Sequence, residues 1–209
     1  LEAVYEEKNM SLTRDNSKVQ EAIFSSLFPK HPYGTQTVLG TQENLKNPSI
    51  TNIKNYYKQW YVPNNMAICM SGDLDPDATI ALIDKYFGGL KPNPDLPKLN
   101  LAKEAPIAQP VVKEVLGPDA ESVALAWRFP GVSDKDFEIL QVVSQVLYNG
   151  KAGLIDLDLN QQQKVLNSYG YPMGLADYSA LLLGGLPKQG QTLEEVKDLL
   201  LGEIKKLRA

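Results

Sequence analysis

Apolar side chains recur along this chain at helical and at strand spacings, and each spacing predicts an element. A helix-like stretch runs to about Leu12. Residues 18–28 make a second helix with Val19, Ile23 and Leu27 on one stripe, capped by Asp15, Asn16 or Ser17. Pro29-Lys30-His31-Pro32-Tyr33-Gly34 breaks it, because proline removes a donor and restricts the residue before it. Pro48-Ser49 starts another helix, on which Ile53, Tyr57, Trp60 and Tyr61 share a face. After the turn Pro63-Asn64-Asn65, the run Met66-Ala67-Ile68-Cys69-Met70 is short and wholly apolar, which predicts a buried strand. Asp75-Pro76 opens a helix carrying Ile80, Leu82, Ile83 and Phe87. Gly88-Gly89 closes it, glycine being the usual residue for a left-handed cap.

From Lys91 the texture changes. Prolines at 92, 94, 97, 106 and 110 interrupt any sustained periodicity, which reads as an inter-domain linker. Strands are then predicted over residues 111–116 and 122–129, followed by a central helix over residues 133–148 that is apolar around much of its circumference. A shorter helix covers part of residues 154–164, and two strands follow at 165–173 and 178–186. Thr192-Leu193-Glu194-Glu195 is a capping box that starts the last helix. Helices and strands mix without regular βαβ alternation, so the fold class is α+β rather than doubly wound α/β.

Composition narrows the chemistry. Among 209 residues there is one histidine, His31, and one cysteine, Cys69. A zinc site of histidine and cysteine needs several such ligands, and a serine or cysteine triad would have to use His31. One thiol forms no internal disulfide. The net charge of −4 gives no electrostatic case for nucleic acid, and no apolar run reaches the roughly 18 residues of a membrane span. The chain opens at Leu1 inside a helix-like stretch and closes at Ala209 without a helix stop signal. Both ends read as cuts, so the chain is expected to be a fragment.

Several residue patterns have a chemical and a structural reading. Asp73-x-Asp75-x-Asp77 with Asp84 imitates a calcium loop, but the positions for glycine and the bidentate glutamate hold Ala78 and Asp84. A helix start with Asp75 as N-cap and Asp77 near the positive helix end explains the same acids. Gly150-Lys151 is no phosphate loop, since Gln145 stands where glycine is required and Ala152 where serine or threonine is. Glu194 and Glu195 belong to a helix start, and His31 reads as a loop residue. Glu6 and Glu7 point about 100° apart on a helix, so they cannot act as a pair on one atom. Local chemistry favours a solvated pair.

Order and spacing carry a wider resemblance. Glu6-Glu7-Lys8-Asn9-Met10, His31-Pro32-Tyr33-Gly34 and Leu39-Gly40-Thr41-Gln42-Glu43-Asn44-Leu45 occur in turn. Tyr57-x-x-Trp60-Tyr61-x-Pro63-Asn64-Asn65-Met66, Ser71-Gly72-Asp73-Leu74-Asp75-Pro76 and Lys85-Tyr86-Phe87-Gly88 follow. Together they resemble the pitrilysin/insulinase/mitochondrial-processing-peptidase family, and residues 110–209 resemble, more loosely, the non-catalytic domain that follows in that family.

The resemblance implies two sandwich-type domains with mixed or antiparallel sheets covered by helices. Residues 1–90 would be the C-terminal part of the catalytic-type domain, truncated at its N-terminus. Residues 91–109 would be the linker, and residues 110–209 a non-catalytic domain cut at its C-terminus. Members are zinc peptidases in which an inverted His-x-x-Glu-His motif supplies two zinc ligands and the general base. A later glutamate is the third ligand, and Glu7 matches it. Such a set leaves one position for a water that zinc acidifies. The motif itself does not occur in this sequence; its place would lie upstream of Leu1, and His31 is not at a ligand position. The fragment is therefore expected to be inactive and to bind no zinc by itself, with zinc and peptide substrates belonging to an intact parent. Its partner would be the remaining half of the same chain or a partner subunit, with no nucleic acid and no membrane span in this piece. Active members carry an Arg and a later Tyr in the last domain that contact substrate; here those places hold Asn160 and Asn167. Asparagine has neither a guanidinium nor a phenol, which implies a second domain of a longer chain or an inactive paralogue. The leading reading is thus a piece of a zinc-dependent endopeptidase. Its rival is a structural or substrate-holding subunit of the same fold.

Overall fold

In the computed structural model, which describes residues 1–208, the first half of the chain is helical. It runs α1 (Glu2–Leu12), α2 (Asp15–Leu27), α3 (Pro32–Thr35), α4 (Gln42–Lys46), α5 (Ile50–Trp60), a 3-10 turn (Pro63–Asn65) and α6 (Pro76–Phe87). It continues as β1 (Val123–Pro130), α7 (Lys135–Leu147), a π-helical turn (Asp156–Gln161), β2 (Asn167–Gly174), β3 (Tyr178–Leu186) and α8 (Leu193–Leu207). The class is α+β, as the pattern predicts.

Local signals start most of these helices. Ser49 Oγ accepts the Asn52 N–H at 3.2 Å, and Asp75 Oδ1 accepts the Ala78 N–H at 2.8 Å. The capping box of α8 closes on both sides: Thr192 Oγ1 accepts the Glu195 N–H, and Glu195 Oε2 accepts the Thr192 N–H. Two sequence expectations need correction. Arg14, not Asp15, Asn16 or Ser17, is the N-cap of α2, and it makes no side-chain bond there. Asp15 lies within the helix, where it accepts hydrogen bonds from Lys18 Nζ and from the Asp119 N–H instead. Gly88 ends α6 at φ −62°, ψ −19°, a right-handed helical geometry, so no left-handed cap forms.

The chain divides into two compact units, one of residues Leu1–Met10 and Val38–Ala102, the other of Ser11–Thr37 and the chain from Lys103 onward. The second unit holds an antiparallel sheet in the order β1-β3-β2. β3 is central and nearly every residue in it is buried, because alternate side chains enter different layers. Leu181 and Leu183 face a core shared with Leu140 and Leu147 of α7 and Val196 and Leu200 of α8. Ala180 and Leu182 face the other way, against Leu27 and Phe28 at the end of α2. A strand covered on both faces reads as a continuous apolar run, which is why residues 178–186 were legible as one element.

Other predicted strands do not form. Residues 66–70 and 111–116 belong to no strand, and among the described residues nothing pairs with them. An apolar run supplies the propensity for a strand, but its backbone groups also need a partner. The helix expected within residues 154–164 does form, as a wider π-helical turn (Asp156–Gln161) following one helical step, and β2 begins only at Asn167. In the first unit α4, α5 and α6 form, yet Val62 is its one buried apolar residue among the described residues. No helix among the described residues is long and apolar enough to cross a membrane.

Candidate functional site

Glu6 and Glu7 lie mid-way along α1, and both are exposed to solvent, while Lys8 beside them is buried. Among the described residues no three His, Cys, Asp or Glu side chains gather into a metal-binding group. Glu7 is therefore a single accessible carboxylate, one donor of the three that a catalytic zinc site requires, and these residues do not by themselves fit a zinc ion. The acids around Asp75 are accounted for differently. The Asp75 carboxylate caps α6, Pro76 occupies the first turn, and Asp77 sits by the positive helix end.

His31 lies outside the helices, as its neighbours Lys30 and Pro32 imply, but it is buried. Its side chain is 1% exposed and stands at the N-terminus of α3, where Nδ1 accepts the Tyr33 N–H at 3.3 Å. That bond fixes the proton of the neutral ring on Nε2, which faces Asp177 Oδ2 at 3.5 Å. The rings of Phe28, Tyr33 and Tyr178 surround the imidazole. An N-cap role and an aromatic cage together make His31 a packing residue.

Beside it lies an anchor that the sequence pattern does not single out. Glu104, within the proline-rich stretch, has a side chain only 2% exposed. Its Oε1 accepts the N–H groups of both Lys30 and His31 at 2.7 Å, and its own N–H donates to Tyr178 Oη at 2.8 Å. Arg128 of β1 lies 3.9 Å from Glu104 Oε2 and donates to the carbonyls of Leu27 and Ala105. The buried carboxylate thus has two amides and a guanidinium to offset its desolvation.

The segment where the resemblance places a substrate-binding Arg and Tyr holds Asn160 and Asn167 here, and Asn160 has a structural role. Asn160, on the π-helical turn, uses both ends of its amide on Ser168 of β2. Oδ1 accepts the Ser168 N–H at 2.8 Å and its hydroxyl at 2.9 Å, while Nδ2 donates to the Ser168 carbonyl at 2.8 Å. Asn167 is exposed. Just upstream, buried Asp156 Oδ2 accepts the N–H groups of Asn149, Gly150 and Gly153, each at 3.0 Å. The Gly150-Lys151 loop therefore wraps an internal carboxylate. On the outer side, Lys206 of α8 donates to Asp158 Oδ2 at 2.6 Å and Glu203 Oε1 at 2.8 Å. The ammonium holds the Asp158 carboxyl below the usual carboxylate range, and the same bonds raise the Lys206 ammonium.

Two openings border this half of the second unit. One, of about 720 Å³, lies between α7, the loop after it and the second half of β2, and is lined by Gln141, Gln145, Val142 and Pro172 among others. The second, about 350 Å³, lies between α7 and α8 over Trp127 and Phe129; Asp136 is its one titratable side chain. Neither lining brings a nucleophile together with a base.

Residues 49–209 match the peptidase M16 inactive domain. The zinc protease PqqE of Helicobacter pylori is 26% identical over 196 residues, which cover 88% of this chain and 43% of that protein. A probable mitochondrial-processing peptidase subunit beta of Schizosaccharomyces pombe is 29% identical over 75 residues, 36% of this chain and 16% of that one. A solved protease from Helicobacter pylori shares the fold with a TM-score of 0.76 at 24% identity, across 99% of this chain and 50% of its own. The first half of the periplasmic protease PqqL from Escherichia coli gives 0.57 at 17%, over 99% and 50%. The chain spans less than half the length of PqqE.

Proposed function

This chain belongs to the M16 (pitrilysin) peptidase family, and from that membership we propose that it is part of a longer zinc-dependent endopeptidase. In this reading residues 1–90 are the C-terminal part of the catalytic-type domain, residues 91–109 the linker and residues 110–209 the non-catalytic domain. Glu7 is the third zinc ligand, and two histidines of an inverted motif lie in polypeptide outside these residues. Zinc, when bound, supplies a water acidic enough to attack a peptide bond near neutral pH. Glu7 supplies the anionic ligand that leaves the metal position for that water open. The remaining half of the chain or a partner subunit completes the chamber that holds the peptide.

The match of residues 49–209 to the inactive domain, joined to a solvent-accessible Glu7 in the motif Glu6-Glu7-Lys8-Asn9-Met10, is the observation that carries this reading. Sequencing the roughly 100 residues before Leu1 tests it: His-x-x-Glu-His is expected there, and its absence sinks the proposal. A second reading, a non-catalytic subunit of the same fold, is favoured by Asn160, whose amide is committed to Ser168 instead of substrate. Metal analysis and a peptide-cleavage assay on the full-length protein separate the two. Stoichiometric zinc with chelator-sensitive cleavage rejects the scaffold.

A further inference from the structure

The loop after α7 holds the one Asn-Gly step of the chain, Asn149-Gly150. Asparagine followed by glycine is prone to self-modification, because glycine has no Cβ to keep its amide nitrogen from the asparagine side-chain carbonyl. Here the fold supplies three further aids. Asn149 Oδ1 accepts the N–H groups of Lys151 at 3.0 Å and Ala152 at 2.9 Å. Asp156 Oδ2, on a buried side chain, accepts the Gly150 N–H at 3.0 Å. Gly150 takes φ +78°, and nothing lies within 4 Å of where a Cβ would stand. Asn149 itself is exposed and borders the opening of about 720 Å³, so water and a small leaving group have free passage.

These groups stand where an intramolecular acyl transfer needs them. Two N–H donors on Oδ1 stabilise the negative charge that develops there in a tetrahedral intermediate. A carboxylate within hydrogen-bond reach of the attacking N–H serves as general base. The reacting groups belong to neighbouring residues, so no encounter has to be arranged. We propose that Asn149-Gly150 is a self-modification site, at which the loop promotes closure of a succinimide ring and loss of ammonia. The Gly150 nitrogen forms a bond to Asn149 Cγ while its proton passes to Asp156. The Cγ–Nδ2 bond then breaks, and Nδ2 leaves as ammonia with that proton. Water opens the ring at either carbonyl, giving an aspartyl or an isoaspartyl link at position 149, and no oxidant or reductant takes part. In the unmodified chain Nδ2 donates to the Gln145 carbonyl at 3.0 Å. A carboxylate oxygen in its place has no hydrogen to donate and faces that carbonyl, so conversion unties the loop from α7. The proposal is independent of the peptidase reading.

Trypsin releases residues 136–151 as one peptide, in which mass spectrometry reads the exchange of NH2 for OH. The intact protein and a synthetic peptide of residues 141–158 are incubated side by side near neutral pH, and the loss of unmodified Asn149 is followed in each. Conversion is expected to be at least about tenfold faster in the folded protein, within what a positioned base contributes. An equal or slower rate in the folded protein overturns the proposal. So does a change that fragment masses place at Gln141 or Gln145 instead of Asn149. Asp156→Asn keeps an acceptor for the loop N–H groups but removes the base, and should bring the folded rate down to that of the peptide. A variant that circular dichroism shows to be folded, yet converts as fast as wild type, contradicts the assignment. If the variant does not fold, the comparison of wild-type protein with peptide decides alone.

Discussion

Glu104 Oε1 lies 2.7 Å from the backbone nitrogen of His31 and accepts its hydrogen, although 73 residues separate the two in sequence. That bond, with its twin to Lys30, fixes where the proline-rich stretch meets the turn after α2. Replacing Glu104 by alanine strands the Lys30 and His31 N–H groups and removes the carboxylate beside Arg128, which keeps its bonds to the Leu27 and Ala105 carbonyls. The expected cost is about 3 kcal/mol of the second unit's stability, with Glu104→Gln recovering part of it through its remaining acceptor. Urea denaturation followed by circular dichroism measures both; an alanine variant within about 0.5 kcal/mol of wild type contradicts the anchor.

Asn160→Ala is expected to cost about 2–3 kcal/mol, because buried Ser168 loses partners for its N–H, carbonyl and hydroxyl together. Asn160→Arg should destabilise as well, since a guanidinium has no acceptor for the Ser168 N–H. Thermal melts of the two variants check this. A neutral Asn160→Arg would mean the position is free for substrate after all.

Gly131→Ala should be among the most damaging single-methyl changes. A Cβ there would stand 2.0 Å from the Ala176 carbonyl oxygen, a main-chain atom with no rotamer to change. An overpacking cost of about 1–3 kcal/mol is expected. Gly117→Ala meets the Asp15 carboxylate, which can turn away only by giving up the Asp119 N–H. The ratio of the two losses in a denaturation series shows whether side-chain rotation relieves the second.

Acid should destabilise the protein in a definite window. The Asp119 N–H lowers the Asp15 carboxyl, Lys206 lowers Asp158, and the Thr192 N–H lowers Glu195. Each folded value lies below the unfolded one, so the stabilisation is complete above the usual carboxylate range and is lost as pH falls through the folded values. The melting temperature is expected to be level with respect to these groups from about pH 6 down to 5 and to fall below about 4. Asp158→Asn should flatten part of that fall. At the alkaline end Lys206 has the reverse sign: its raised folded value contributes below the unfolded one and is lost as pH rises through the folded one. A melting temperature that rises between pH 4 and 3 contradicts the assignment.

How much was legible depended on how far each partner lies along the chain. Thr192 and Glu195 announce the start of α8 because the capping box closes over three residues. Asp75 could be read as a cap for the same reason. β3 was legible because Ala180-Leu181-Leu182-Leu183 needs cover on both faces wherever the partners come from. The identical logic promised a strand at Met66–Met70, where none forms among the described residues. Glu104 was invisible since its partners sit far upstream, and a glutamate among prolines looks solvated. His31 was legible as a loop residue but its burial was not; Phe28 and Tyr33, each within three residues, were the available sign of the aromatic rings around it. The Asn160 clamp was half legible, as the missing arginine could be seen and the bond to Ser168 could not.

The placement of α2 against β3 also has a consequence for synthesis. Ile23, Phe24, Leu27 and Phe28 leave the ribosome early, but the strand they cover is made much later; Tyr33 and its contact Asp177 are 144 residues apart. At typical translation speeds that interval is roughly 7–30 s. For that time the apolar side of α2 waits for the β3 residues that cover it in the folded chain.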